Sequence, residues 1–147
     1  MGADYWIDIV VDQEPNRNSI QKILKRGEQL GFSYIGEEGA ASNTLTLSVD
    51  KATNLMVENF EYSLQHPRDY NKVAKLMFKG KDAGGTLFFD EREGRLQLSI
   101  VPPNLHYNEE GYQKIADFRT YTKVLIDLCA DFAIYKMKTF NSYYNAC

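Results

Sequence analysis

The stretch Tyr5–Asp12 constrains the fold most. Tyr5, Ile7, Ile9 and Val11 alternate there with Trp6, Asp8, Val10 and Asp12. A period of two sends the two sets to opposite faces of a strand. One set is apolar and the other carries carboxylates and an indole, so the strand has one face for a core and one for solvent. A chain of 147 residues, 44% of them hydrophobic, is long enough to build that core without disulfides or metal.

Further segments obey the same logic. Asn18 and Gln21 form a capping-box pattern ahead of the stripe Ile20, Ile23, Leu24, Gly27 and Leu30, and Gly31 supplies the stop. Gly27 inside that stripe points to close helix–sheet contact. Phe32–Ile35 and Thr44–Val49 read as strands. Asp50 caps a second helix carrying Ala52, Leu55, Met56, Phe60 and Leu64, which His66-Pro67 ends. Arg68–Lys79 is expected as a third helix, with Val73, Leu76 and Met77 opposite Arg68, Lys72, Lys75 and Lys79. A strand over Leu76–Lys79, hairpinned through Asp82–Gly85, is the rival. Thr86–Asp90 and Arg95–Val101 form a hairpin that Pro102-Pro103 stops. The stripe Ile115, Phe118, Leu125, Cys129 and Phe132 predicts one long C-terminal helix over Glu109–Lys138. At 1.5 Å per residue that helix spans about 45 Å, and a homodimer through it would cover the overhang.

The resulting order, β-α-β-β-α-α-β-β-α, describes a single two-layer α+β domain over residues 1–147. Its sheet is mostly antiparallel with helices on one face, because the outward residues Asp8, Thr46, Ser48, Gln97 and Ser99 are polar. The first part resembles the ferredoxin-like β-α-β-β-α-β order. That topology is shared by many functions, so the resemblance implies no activity.

Several classes of function lose support. Seventeen basic against 20 acidic side chains leave a net charge of −3, which makes a nucleic-acid partner unlikely on charge grounds. The longest uncharged run, Leu96–Asn108, is too short and too proline-broken to span a membrane. Met1–Tyr5 lacks the basic and apolar segments of a secretory signal, and Cys129 and Cys147 lie too far apart for a metal or redox pair. A reduced, cytoplasmic protein is the expectation. His66 and His106 lack zinc-ligand spacing. Asp4, Asp8 and Asp12 advance about 13 Å per step along a strand, too far to share one ion. Gly80–Thr86 lacks the Gly-Lys-Ser/Thr ending of a phosphate loop. No cofactor and no metal is expected.

Binding is what remains. The chain reads as a non-enzymatic protein-binding domain, for example a toxin-neutralising immunity-type protein, that meets a basic partner through an acidic surface. The candidate residues are Trp6 and Asp8 on the outward face of the first strand, Glu37 and Glu38 in a glycine-flanked loop, and Asp90, Glu91 and Glu93 in a hairpin turn. One alternative is a small-molecule-binding protein or enzyme with a pocket of His66, His106, Tyr107 and Tyr112. Another is an anion site on Arg68, Lys72, Lys75 and Lys79, within a segment where five basic residues face only Asp69.

Overall fold

The alternation at the N-terminus becomes the strand β1 (Ala3–Val11), with Ile7, Ile9 and Val11 fully buried. The computed structural model describes residues 3–38, 43–68, 74–102, 104–105 and 115–143. Helix α1 (Arg17–Gln29) follows β1, then β2 (Ser33–Glu38), β3 (Asn43–Leu47) and helix α2 (Val49–Gln65). Next come β4 (Lys75–Lys79), β5 (Gly84–Arg92), β6 (Arg95–Ile100) and the two-residue strands β7 (Asn104–Leu105) and β8 (Ile115–Ala116). Helix α3 (Phe118–Leu128) and strand β9 (Ile134–Tyr143) close the described chain.

Seven strands form one sheet in the order β3-β2-β4-β5-β6-β1-β9, and every neighbouring pair is antiparallel. Strands β7 and β8 pair separately. The fold is α+β with three described helices, and the core shows how its layers stack. Ile7, Leu76, Phe78, Leu87, Phe89, Leu98 and Ile100 from the sheet share one apolar cluster with Ile20, Leu24, Met56, Phe60, Leu125 and Leu128 from the helices. All three helices therefore cover the same face. No described helix is long and apolar enough to cross a membrane.

Local chemistry explains the helix boundaries. Asn16, not Asn18, caps α1: its side chain accepts the Ser19 N–H at 2.9 Å, and its own N–H donates to Ser19 Oγ at 3.0 Å. A capping box is thus present two residues earlier, formed by Asn16 and Ser19 directly after Pro15. Gly27 lets α1 settle onto β2, because a Cβ there would collide with the Tyr34 hydroxyl, which donates to the Leu24 carbonyl at 2.7 Å. Helix α2 is capped by Ser48, which places Asp50 in its first turn. Glu93 and Gly94 turn β5 into β6 with φ of 55° and 75°, the two-residue, left-handed geometry that tight hairpins prefer.

Three expectations need correction. Residues 75–79 are the rival strand rather than a helix: Leu76 and Phe78 point into the core, Lys75, Met77 and Lys79 away from it. The run Leu76-Met77-Phe78 fits either period, and the glycines at Gly80, Gly84 and Gly85 decide it by allowing a hairpin whose register pairs Lys79 with Gly84. Arg68 sits in a turn after α2, and Lys72 lies outside the described residues. The long C-terminal helix is also absent: α3 spans 11 residues, and residues 134–143 form β9, the longest described strand. Leu125 and Cys129 are buried against this chain's own sheet, one of the two covers open to that stripe, while Phe132 is half-buried, and the overhang that argued for a homodimer disappears with the long helix. Finally, a split β-α-β unit of ferredoxin type would place one strand between β1 and β2. Here β4, β5 and β6 separate them.

Candidate partner-binding face

The other face of the sheet receives no described helix, and the registers place its side chains in rows. One row runs Lys75, Phe88, Ser99, Asp8, Lys138 across β4, β5, β6, β1 and β9. The next runs Asp90, Gln97, Val10, Lys136. Trp6 lies opposite Phe140, and their rings stack at 4.1 Å with 16° between planes.

Hydrogen bonds fix the centre of this face. Asp8 accepts from the Trp6 indole N–H at 3.1 Å and from Ser99 Oγ at 2.6 Å. Gln97 Nε2 donates to Ser99 Oγ at 3.2 Å. The carboxylate therefore has each oxygen engaged, a charge-assisted arrangement that holds the indole in one orientation. Val10 and Gln97 are buried although no described helix covers them. Lys136, Lys138 and Arg92 surround them, and with Asp8 they rim a dimple of about 30 Å³, room for a water rather than a ligand. At the end of the face Arg95 pairs with Asp12 at 3.0 Å and stacks on Tyr135 at 3.7 Å.

The electrostatics differ from the expected acidic surface. Among the described side chains this face carries the cations Lys75, Lys79, Arg92, Arg95, Lys136 and Lys138 against the anions Asp8, Asp12 and Asp90. The balance of those described side chains is basic, in a chain whose net charge is −3. Strand β9 brings Lys136 and Lys138 alongside Val10 and Asp8 of β1, where a helix was expected.

The remaining candidates scatter. Asp90 shares the face with Trp6 and Asp8, and its carboxylate accepts the Glu91 N–H at 2.7 Å. Glu91 and Glu93 are exposed around the β5–β6 turn. The backbones of Glu37 and Glu38 run in β2, but their side chains lie outside the described residues. Lys75 and Lys79 share the open face, and Lys75 stands four strands from Lys138, about 19 Å away at 4.8 Å per strand.

Of the residues expected to line a pocket, His66 is the one that lies among the described residues. A cleft of about 610 Å³ between α1 and α2 is lined by Arg17, Asn54, Glu58, Glu61 and Leu64 among others, with no histidine or tyrosine. His66 is exposed, stacked on Tyr62 at 4.1 Å, with Nδ1 3.1 Å from the Tyr62 carbonyl. His106, Tyr107 and Tyr112 lie outside the described residues.

Sequence reasoning missed Lys136 and Lys138 because it placed them on the helix Glu109–Lys138, and Phe140 because it left that residue in the tail beyond the helix. The signal that finds them is the alternation of Lys136, Lys138 and Phe140 with Met137 and Thr139, which is strand-like once helix period is set aside. No protein-family model matches this chain, and no curated protein or solved structure is significantly similar to it.

Proposed function

We propose that this chain is a non-enzymatic protein-binding domain whose uncovered sheet face receives one partner. The observation that carries the reading is the locked group Trp6–Asp8–Ser99, with Phe140 stacked on the indole, on a face that no described helix covers. Binding surfaces are strongest where a rigid aromatic anchor needs little ordering on contact. Here the ordering is already in place. The charges around it shift the expected partner from basic to acidic, with Asp90, Glu91 and Glu93 at the rim.

The test is capture of partners on the immobilised chain at low and moderate salt, with Trp6→Ala and the helix-side control Lys25→Ala in parallel. A protein retained by the native chain and by Lys25→Ala but lost with Trp6→Ala is the expected result. Retention that ignores Trp6, or no retained protein at either salt, overturns the reading.

A further inference from the structure

We propose that β9 is the edge onto which an acidic, extended segment of the partner adds as an eighth strand, its alternate carboxylates facing Lys138 and Lys136. The inference rests on the open face being the partner surface, and it adds the partner's chemistry and binding mode.

The topology supplies the first ground. Strand β9 ends the sheet, and β1 occupies one side of it along a register from Ala3↔Tyr143 to Val11↔Ile134. Among the described residues no strand pairs with its other side, which leaves a row of backbone N–H and C=O groups available. The opposite edge, β3, is kept to five residues, whereas β9 has ten and contains neither proline nor glycine. A long regular edge of this kind is a template for another strand.

Charge selects the occupant. Lys136 and Lys138 make no ion pair among the described residues, and Arg92 joins them at the dimple. A second copy fits poorly: a two-fold pairing centred on Lys138 sets that ammonium opposite its own equivalent, and like charges directly opposite destabilise a ladder. An acidic segment fits well. Side chains two apart on a strand share a face about 6.8 Å from each other, so carboxylates at alternate positions of an added strand meet both lysines at once. The position beyond them falls opposite Phe140 and its stack with Trp6, which calls for an apolar residue. In the antiparallel sense used throughout this sheet, the partner motif is apolar-x-acidic-x-acidic.

The probes are a nine-residue peptide with a Val-Thr-Glu-Thr-Glu centre, the same peptide with Lys for Glu, a third with Pro for both Thr, and single-stranded oligothymidylate. Emission from Trp6, the only tryptophan, and amide hydrogen exchange along β9 are the readouts. The acidic peptide is expected to change Trp6 emission, to slow exchange at the alternate β9 amides that β1 leaves unused, and to bind at least tenfold tighter than the Lys and Pro peptides. Lys136→Glu with Lys138→Glu should reverse the preference for Glu over Lys, and the milder Lys136→Gln with Lys138→Gln should abolish it.

An emission change without β9 protection overturns strand addition while the open-face reading stands. Absence of both responses overturns the inference, and Trp6-dependent capture decides the broader reading separately. Tighter binding of oligothymidylate than of the acidic peptide overturns the choice of a protein segment. Protection of β9 that grows with protein concentration and needs no peptide assigns the edge to a second copy, and overturns it too.

Discussion

Leu98 and Ser99 are neighbours on β6, yet they serve opposite faces of the sheet. Leu98 is fully buried among the aliphatic and aromatic side chains under the helices. Ser99 points the other way and spends its hydroxyl on Asp8. The covered face is held by burial, which has no direction and tolerates only small changes of volume. The open face is held by a few directional contacts, and what those contacts hold is mainly the orientation of Trp6. Stability therefore belongs chiefly to one face and the proposed recognition to the other.

The largest test sets those neighbours against each other. Leu98→Ala should cost about 2–5 kcal/mol, the lost transfer energy plus the cavity left behind. Ser99→Ala should cost about 1 kcal/mol, because Asp8 keeps the indole N–H and can recruit water. Urea denaturation of both variants measures the two values. Equal losses would mean that the open face carries as much of the fold as the covered one.

Gly27 offers a second test on the covered face. Alanine is favoured over glycine in a helix by about 1 kcal/mol, so a solvent-facing glycine would gain from replacement. Here the new methyl would meet the Tyr34 hydroxyl and crowd Leu128. Gly27→Ala should instead lose about 1–3 kcal/mol through overpacking, and adding Tyr34→Phe should recover part of that loss. A stabilised Gly27→Ala protein would show that α1 and β2 are less closely packed than the geometry here.

Alkaline pH probes the same dry layer. Burial pushes the Cys129 thiol from 9.0 up to about 12, and burial with the Glu28 carboxylate raises Tyr34 as well. A raised folded-state value contributes stability that is complete below the unfolded value and is lost as pH climbs through the folded one. The Cys129 contribution is therefore intact at pH 7 and fades between about pH 9 and 12. At pH 10 the native chain should have lost about 1.4 kcal/mol more, relative to pH 7, than Cys129→Ala loses over the same interval. Identical pH profiles for the two proteins would place the thiol in contact with water.

Much of the covered face was legible beforehand, and little of the open one. The alternation in Tyr5–Val11, the stripe Ile20–Leu24 and the pattern Leu96–Ile100 each place apolar residues at one period only, so burial has a single solution. Residues 129–143 have two. The spacing of Leu125, Cys129 and Phe132 continues the helical stripe, and no glycine or proline marks the turn through Asp131. What ends the helix is long-range: β1 has two sides to pair, and the β-branched and aromatic residues Ile134, Tyr135, Thr139 and Phe140 suit the second. Local periodicity does not contain that information. The open face is assembled from β1, β4, β5, β6 and β9, so placing β9 wrongly hides the chemistry of Lys136, Lys138 and Phe140. Asp8 was found by its position on β1, but its partner Ser99 lies 91 residues away.

The smallest effect sharpens the comparison at the end of the open face, where Arg95 reaches from β6 across Asp12 to Tyr135. Its guanidinium makes both an ion pair and a stack. The two parts respond differently to change: an exposed ion pair is screened by salt and worth little, whereas a cation resting on a ring keeps more of its value. Lysine preserves the charge but lacks the planar group that lies flat on tyrosine. Arg95→Lys should thus cost about 0.5–1 kcal/mol, nearly as much as Arg95→Ala, with the loss almost unchanged between low and high salt. Denaturation at two ionic strengths measures it. If Arg95→Lys matches the native chain and only Arg95→Ala falls, with the difference fading in salt, then charge alone acts at this corner and the Tyr135 stack contributes nothing. In that case the open face would owe its rigidity to the Trp6–Asp8–Ser99 group by itself.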